Sequence, residues 1–513
     1  MNLLTERWIP VMRQSGADLI APYEISALDN PVLSINASRA DFNGAIIQFL
    51  IGLLQTVLPD LKRKHWRQWQ QVPPSSDELK KIFMPLEIAF NFDSDGARFM
   101  QDYNLLEGDK KSVSALFIDQ PGEQTLELNT DHFVKRDSIK QICFHCSAIA
   151  LFTLQINAPS GGAGHRTSVR GGGPLTTLIV SDTEESKLLW NMLWLNVIPA
   201  IDFKALTGNE TLEISELKDV FPWLAPTRTS EKNSGATYIN QNAHPFQMYW
   251  CMPRRIQLDF ANTTQGECHV CGNANRQLVQ HYITKNYGVN YLGSWQHLLS
   301  PHRKDKDAQY IPLHPQPGGI GYKYWQAIAL NDSRAKVVRA QQENLKTTMK
   351  IWSFGYDMDN MKARCWYEST MPSYYIKPEI LKAFESLTTQ YIDSAIQILK
   401  YLYFSLKETK AHIPTTEANF WHQTETIFYQ ILNETVQILS QNASADVNNI
   451  KQTWLIHLQK KALLIFDTYT EVMHAELLQL QHLAQARKGL RKNLYGPKIR
   501  KSLALDEKEV KNA

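Results

Sequence analysis

The stretch from Cys143 to Pro174 reads Cys-Phe-His-Cys-Ser-Ala-Ile-Ala-Leu-Phe-Thr-Leu-Gln-Ile-Asn-Ala-Pro-Ser-Gly-Gly-Ala-Gly-His-Arg-Thr-Ser-Val-Arg-Gly-Gly-Gly-Pro. It opens with a C-x-x-C pair, Cys143 and Cys146, and passes through the apolar run Ala148 to Phe152. It then enters a segment with six glycines between Gly161 and Gly173. Glycine permits positive φ and close backbone approach. His165, Arg166 and Arg170 lie among these glycines, so the residues point to an anionic partner. The alternative is a glycine loop packed against a neighbouring backbone.

A second C-x-x-C pair, Cys268-His-Val-Cys271, lies far along the chain. Four thiolates close a tetrahedral zinc site with no open position, which makes such a site structural. The long separation means that the metal joins two distant segments and fixes the base of the glycine stretch. Paired C-x-x-C also points to a reducing compartment rather than a disulfide framework. Cys251 and Cys365 are left over and read as core residues.

At 513 residues the chain calls for two or more domains. A formal charge of +3 excludes a global positive field, so nucleic acid would have to bind through local patches. The N-terminus has no apolar signal core. The most apolar segment, Phe42 to Leu58, is interrupted by Asn43, Gln48 and Gln55 and stopped by Pro59. It reads as a buried helix, not a membrane span. The expectation is a cytoplasmic protein with no membrane partner.

Leu175–Val180 reads as a strand, Leu188–Val197 as a helix, and residues 226–245 and 300–319 as loops. Residues 350–356 and 363–368 have strand character, with 357–362 as a hairpin tip and Asn360 near its apex. On its own Asn360 is an ordinary turn asparagine. Residues 119–140 form a basic loop carrying Phe133, which either stands out on the loop or tucks into the core. Beyond Pro378 apolar residues step by three and four in four successive segments, the last from about 476 to 495. Short loops join them, so an antiparallel four-helix bundle follows. Its end carries Arg487, Lys488, Arg491, Lys492, Lys498, Arg500 and Lys501 with no acid among them. Such a run is either a solvated face or a phosphate contact. The fold class is therefore α+β: a mixed α/β domain with a zinc site over 1–375, then a helical bundle with a basic tail over 376–513.

No catalytic signature stands out. The glycine stretch lacks the Gly-Lys-Ser/Thr of a P-loop, no G-x-G-x-x-G fits, and H-E-x-x-H and G-x-S-x-G are absent. A zinc-stabilised nuclease is the competing class, but it needs clustered Asp, Glu and His to hold Mg²⁺.

Taken together, these residues resemble the large subunit of the type I-E CRISPR surveillance complex, Cascade. The resemblance is carried by the Met1-Asn-Leu-Leu start with Trp8-Ile-Pro-Val11, Cys143-x-x-Cys146 with its apolar run, and Asn157-Ala-Pro159 with the glycine loop. Arg170-Gly-Gly-Gly-Pro-Leu-Thr-Thr177, Cys268-x-x-Cys271-Gly272 and the C-terminal bundle extend it over essentially the whole chain. It implies a non-catalytic subunit that reads the protospacer-adjacent motif (PAM) of double-stranded target DNA from the minor groove. It further implies that the complex opens an R-loop and recruits a helicase–nuclease. The glycine loop falls on Ser160, Gly161, Gly162, Ala163 and Gly164, with alanine at 163 where relatives often have glycine, and Arg166 keeps a cation beside it. The lysine finger falls on Lys285, one residue before the position, Asn286, that ungapped counting from Cys271 gives. The wedge falls on Asn360, where some relatives carry the longer glutamine. Phe133 matches an aromatic that contacts the complex near the 5′ end of the guide RNA. The bundle would lie against the small subunits and the displaced DNA.

Overall fold

The structure is a computed structural model. It describes every residue except 122, 129–135, 137, 160, 182–187, 232–235, 239–240, 275, 294, 308, 360–361, 410–414, 473–479 and 506–513. Phe133, Ser160 and Asn360 thus lie outside the described residues. The chain divides into two compact units. The first is Met1–Pro315 with Ser333–Asn344 and Lys350–Glu368, and the second is Gln316–Asp332, Leu345–Met349 and Ser369–Ala513.

The core of the first unit is built on the helix Ala40–Val57. It is long and apolar enough to cross a membrane by composition, but 83% of it is buried within the unit. Phe49 meets Trp8, Phe99, Phe152 and Trp250 edge-on at 5.4–5.9 Å between ring centroids, the geometry that aromatic quadrupoles favour. The glutamines that interrupt the apolar run serve as braces. Gln55 accepts from the Ile198 amide at 2.9 Å and donates to the Ile198 carbonyl at 3.0 Å, so its burial leaves no amide group unmatched.

Against this helix packs a second buried one, Phe144–Asn157. Three small antiparallel sheets belong to the same unit. Ile9–Arg13 runs between Gly16–Ile20 and Val32–Ile35. Arg276–Val279 joins Ile142–Cys143 to Thr264–Gly266, and His281–Lys285 is central between Asp109–Ser112 and Arg255–Leu258. A further sheet places Met349–Asp359 between Lys362–Ser373 and Thr176–Val180. The two long strands run to Asp359 and from Lys362, beyond the sequence expectation of 356 and 363. The segment 300–319 is also not all loop: His302–Lys304 and Tyr310–Pro312 pair as a short hairpin.

In the second unit the helix Pro378–Glu408 packs against Thr416–Gln441, Asn448–Val472 and Leu480–Leu494. A short fifth helix, Pro497–Ser502, returns onto the first. A single cut at 375 misses that residues 316–332 join the helical unit, and the reason is aromatic packing. Tyr322 stacks on Phe428 at 4.2 Å between centroids, and its hydroxyl meets Thr424 Oγ1 at 2.9 Å. Trp325 donates to the Pro372 carbonyl at 2.8 Å.

Candidate nucleic-acid interface and metal centre

Cys143 sits at the N-cap of the helix Phe144–Asn157, and Cys146 lies one turn in. Cys268 and Cys271 come from a tight turn closed by the Gly272 amide donating to the Cys268 carbonyl at 2.9 Å, with Gly272 at φ +70°. The four sulfurs lie within 4.8 Å of one another, and Cys143 and Cys271 are 3.8 Å apart. A tetrahedral ion with metal–sulfur bonds of about 2.3 Å requires sulfurs about 3.8 Å apart, so the donor set fits. Three of the cysteines are buried and Cys271 is exposed.

The surroundings also suit a thiolate cluster. The Cys143 amide points at Cys268 Sγ at 3.3 Å, and Asn273 Nδ2 at Cys271 Sγ at 3.0 Å. Hydrogen bonds from Cys143 and Cys146 lower the Cys271 thiol, whereas the crowding of Cys143 against Cys146, then of Cys268 and Cys271, pushes the Cys146 thiol up. Four sulfurs this close resist ionising together without a cation. Of the leftover cysteines, Cys251 is buried but Cys365 is exposed, which corrects its reading as a core residue.

Both arms of the candidate interface hang from this cluster. One is the helix Phe144–Asn157, whose 14 residues span about 21 Å before Pro159 ends it and the glycine stretch begins. Beneath that junction the half-buried Arg254 donates to the Pro159 carbonyl, and burial lowers its guanidinium to about 10. The other arm leaves Cys271, passes through Arg276–Val279 and ends at Lys285.

The glycine stretch divides into two halves with different duties. Gly171, Gly172 and Gly173 are internal. A Cβ on Gly172 would stand 2.5 Å from Pro159 Cα, and one on Gly173 would stand 2.4 Å from Met358 Cγ. Arg170 belongs with them. It is 2% exposed and donates to Gln48 Oε1 at 2.7 Å and Thr176 Oγ1 at 3.0 Å. Its guanidinium, lowered to about 10 by burial, braces the fold, so the expectation that it faces an anion fails. Gly161, Gly162 and Gly164 have φ of +150°, +72° and +74°. Gly162 and Ala163 are exposed, and a Cβ on Gly162 would meet nothing within 4 Å.

Lys285 is exposed, and its ammonium has no partner among the described residues. Asn286, the alternative finger position, is engaged with His165. Arg166 Nε donates to Ser230 Oγ at 2.8 Å. The structure therefore brings Gly161–Gly164, Arg166 and Lys285 into one region. The hairpin flanking Asn360 is cross-braced where Arg364 clasps the buried Asp357 at 2.7 and 3.1 Å. The sequence reading missed Arg254, Ser230 and Tyr287. The turn signal Asn286-Tyr-Gly288 marks the last of these, but nothing local marks the other two.

In the bundle Lys488, Arg491, Lys492, Lys498 and Lys501 are exposed. Arg487 is different: it clasps Asp467 bidentately at 2.7 and 2.8 Å, so the acid missing from the local run is supplied by another helix.

The fold is similar to that of CasA (Cse1) from Thermus thermophilus, at 17% identity and a TM-score of 0.68 over 96% of this chain and 99% of that one. It is likewise similar to CRISPR-associated protein Cse1 from Acidimicrobium ferrooxidans, at 14% identity and a TM-score of 0.63 over 98% and 99%. A chain of a CRISPR RNA-guided surveillance complex matches at 14% identity and a TM-score of 0.64, covering 97% and 99%. The chain thus shares the fold of these Cse1 proteins over nearly its whole length. The family model for CRISPR-associated protein Cse1 matches residues 2–465, and the chain belongs to that family.

Proposed function

We propose that this chain is the DNA-recognition subunit of an RNA-guided surveillance complex and reads the PAM of target duplex from the minor groove. The observation that carries the reading is one juxtaposition. The exposed backbone at Gly162–Ala163 and the exposed Lys285 lie at the ends of two arms that leave the same cysteine cluster and are joined where the Tyr287 amide donates to Gly164. The minor groove offers acceptors at every pair and one extra donor at G·C. A glycine backbone and a single ammonium reach such a groove without a recognition helix, and the resulting code is permissive. Ser160 and Asn360 complete the site, with Asn360 as a wedge under the PAM that helps to part the first base pair and start the R-loop.

The cysteine cluster holds zinc in a structural role: an all-thiolate set leaves no open position for chemistry. The reading is therefore non-catalytic, with cleavage left to a recruited helicase–nuclease. Phe133 would meet the complex near the guide RNA 5′ end, and the bundle would lie against the small subunits, its exposed cations along displaced DNA.

The test is binding of the reconstituted complex to duplexes that differ only in the PAM, with and without Lys285→Ala. Loss of PAM discrimination with retained affinity for a pre-opened target supports the reading. Unchanged discrimination refutes it. Cleavage of labelled RNA or DNA by the isolated chain with Mg²⁺ would instead favour the nuclease.

A further inference from the structure

Tyr287 lies two residues beyond Lys285 and has φ +64°, in the left-handed region. For a bulky aromatic residue this conformation is strained and persists only where the surroundings enforce it. Both of its backbone groups are engaged. Its amide donates to the Gly164 carbonyl at 2.9 Å, and its carbonyl accepts from the Ser230 amide at 3.1 Å. Its ring lies so close to Gly164 that a Cβ there would stand 2.9 Å from Cγ and Cδ1.

Three successive loop residues thereby dock in order. Gly164 meets Tyr287, His165 meets Asn286, and Arg166 meets Ser230. The turn is held from its other side as well. A Cβ on Gly288 would stand 1.9 Å from the Pro253 carbonyl oxygen, and one on Gly108 would stand 2.2 Å from the Thr284 carbonyl oxygen. The finger strand thus has no room to slide, and the loop is fastened to it through Tyr287.

We propose that Tyr287 is a positioning residue that fixes the spacing between the glycine loop and Lys285, so that the two read the minor groove as one rigid element. This rests on the reading of Lys285 and the loop as the PAM contact. Tyr287 itself touches no DNA in this scheme. Without its ring, loop and finger keep only the hydrogen bonds at Gly164, His165 and Arg166, the spacing between them loosens, and recognition loses part of the entropy advantage of a preformed spacing.

The experiment uses the reconstituted complex and four variants of the full chain: Tyr287→Gly, Tyr287→Phe, Lys285→Ala and the double Tyr287→Gly/Lys285→Ala. Tyr287→Gly relieves the positive φ, so it removes the ring without adding backbone strain. The readout is the ratio of affinities for PAM and non-PAM duplexes, beside affinity for a target with its seed pairs already open. Tyr287→Gly should lower the ratio about tenfold, the order of one polar contact, while Tyr287→Phe keeps it. The double variant should be no worse than Lys285→Ala, because Tyr287 acts through the finger. A Tyr287→Gly complex that keeps its ratio while Lys285→Ala loses it overturns the positioning role and leaves the PAM reading standing. If Lys285→Ala keeps the ratio, the PAM reading itself falls, and this proposal with it. A Tyr287→Gly chain that fails to enter the complex while Tyr287→Phe assembles and discriminates less overturns it too, since a ring in place would then not suffice.

Discussion

Gly162 offers a matched pair of substitutions that separates charge from bulk. Its φ of +72° is a conformation that asparagine and aspartate tolerate better than other L residues, and its added Cβ would meet nothing within 4 Å. Gly162→Asn and Gly162→Asp therefore share the same backbone cost, about 1 kcal/mol or less, and the same side-chain shape. They differ only by one negative charge at the open face of the loop. For a phosphate about 7 Å away, that charge costs about 0.6 kcal/mol in bulk water and about 2.4 kcal/mol at an effective dielectric of about 20. The aspartate complex should therefore bind PAM duplex roughly threefold to sixtyfold more weakly than the asparagine complex. The gap should narrow as salt rises. The loss should persist on a target with open seed pairs if the PAM stays duplex. The assay is equilibrium binding of the reconstituted complex to labelled duplex at two ionic strengths. Equal affinities for the two variants at low salt would place the loop away from the phosphates and refute the reasoning.

Elemental analysis of freshly purified protein should find about one zinc per chain, and Cys146→Ser should lose it and loosen residues 143–159 and 268–285 in hydrogen exchange, because closed thiolate sites contribute on the order of 10 kcal/mol; metal-free protein with native exchange would end the idea. Neutralising Lys488, Arg491 and Lys492 should weaken target binding and flatten its salt dependence without changing PAM preference. Arg487 is left out because its loss would strand Asp467. Asn360→Ala should slow R-loop formation roughly five- to thirtyfold on intact duplex, the equivalent of one stacking step of about 1–2 kcal/mol, and much less on a pre-opened target; equal losses on both would return Asn360 to an ordinary turn.

The readable parts of this chain were those whose chemistry is written locally. Paired C-x-x-C motifs need only four thiolates, and the structure assembles them across more than a hundred intervening residues. Apolar steps of three and four gave the bundle helices, because each helix carries its own stripe. What stayed hidden depends on contacts distant in sequence. Arg170 reads as a phosphate ligand from its glycine neighbours, yet Gln48, far upstream, takes its guanidinium. The run around Arg487 looks acid-free because Asp467 sits on a different helix. Residues 316–332 join the helical unit through Tyr322 and Trp325, whose partners are not encoded in the segment itself.

The position of the cysteine cluster explains how a site so far from the candidate interface bears on it. The helix from Cys143 and the strands from Cys271 are otherwise separate pieces of chain, and the cluster pins their starts together. Their far ends are joined again where Tyr287 meets Gly164. Two arms fixed at both ends form a closed frame, and a closed frame holds a spacing that neither arm holds alone. Metal loss should then act on recognition through geometry rather than charge. It should lower PAM discrimination on intact duplex while leaving the salt slope contributed by the bundle cations unchanged, because those residues belong to the other unit. Loss of discrimination and of salt slope in parallel after metal removal would show instead that the whole chain had unfolded.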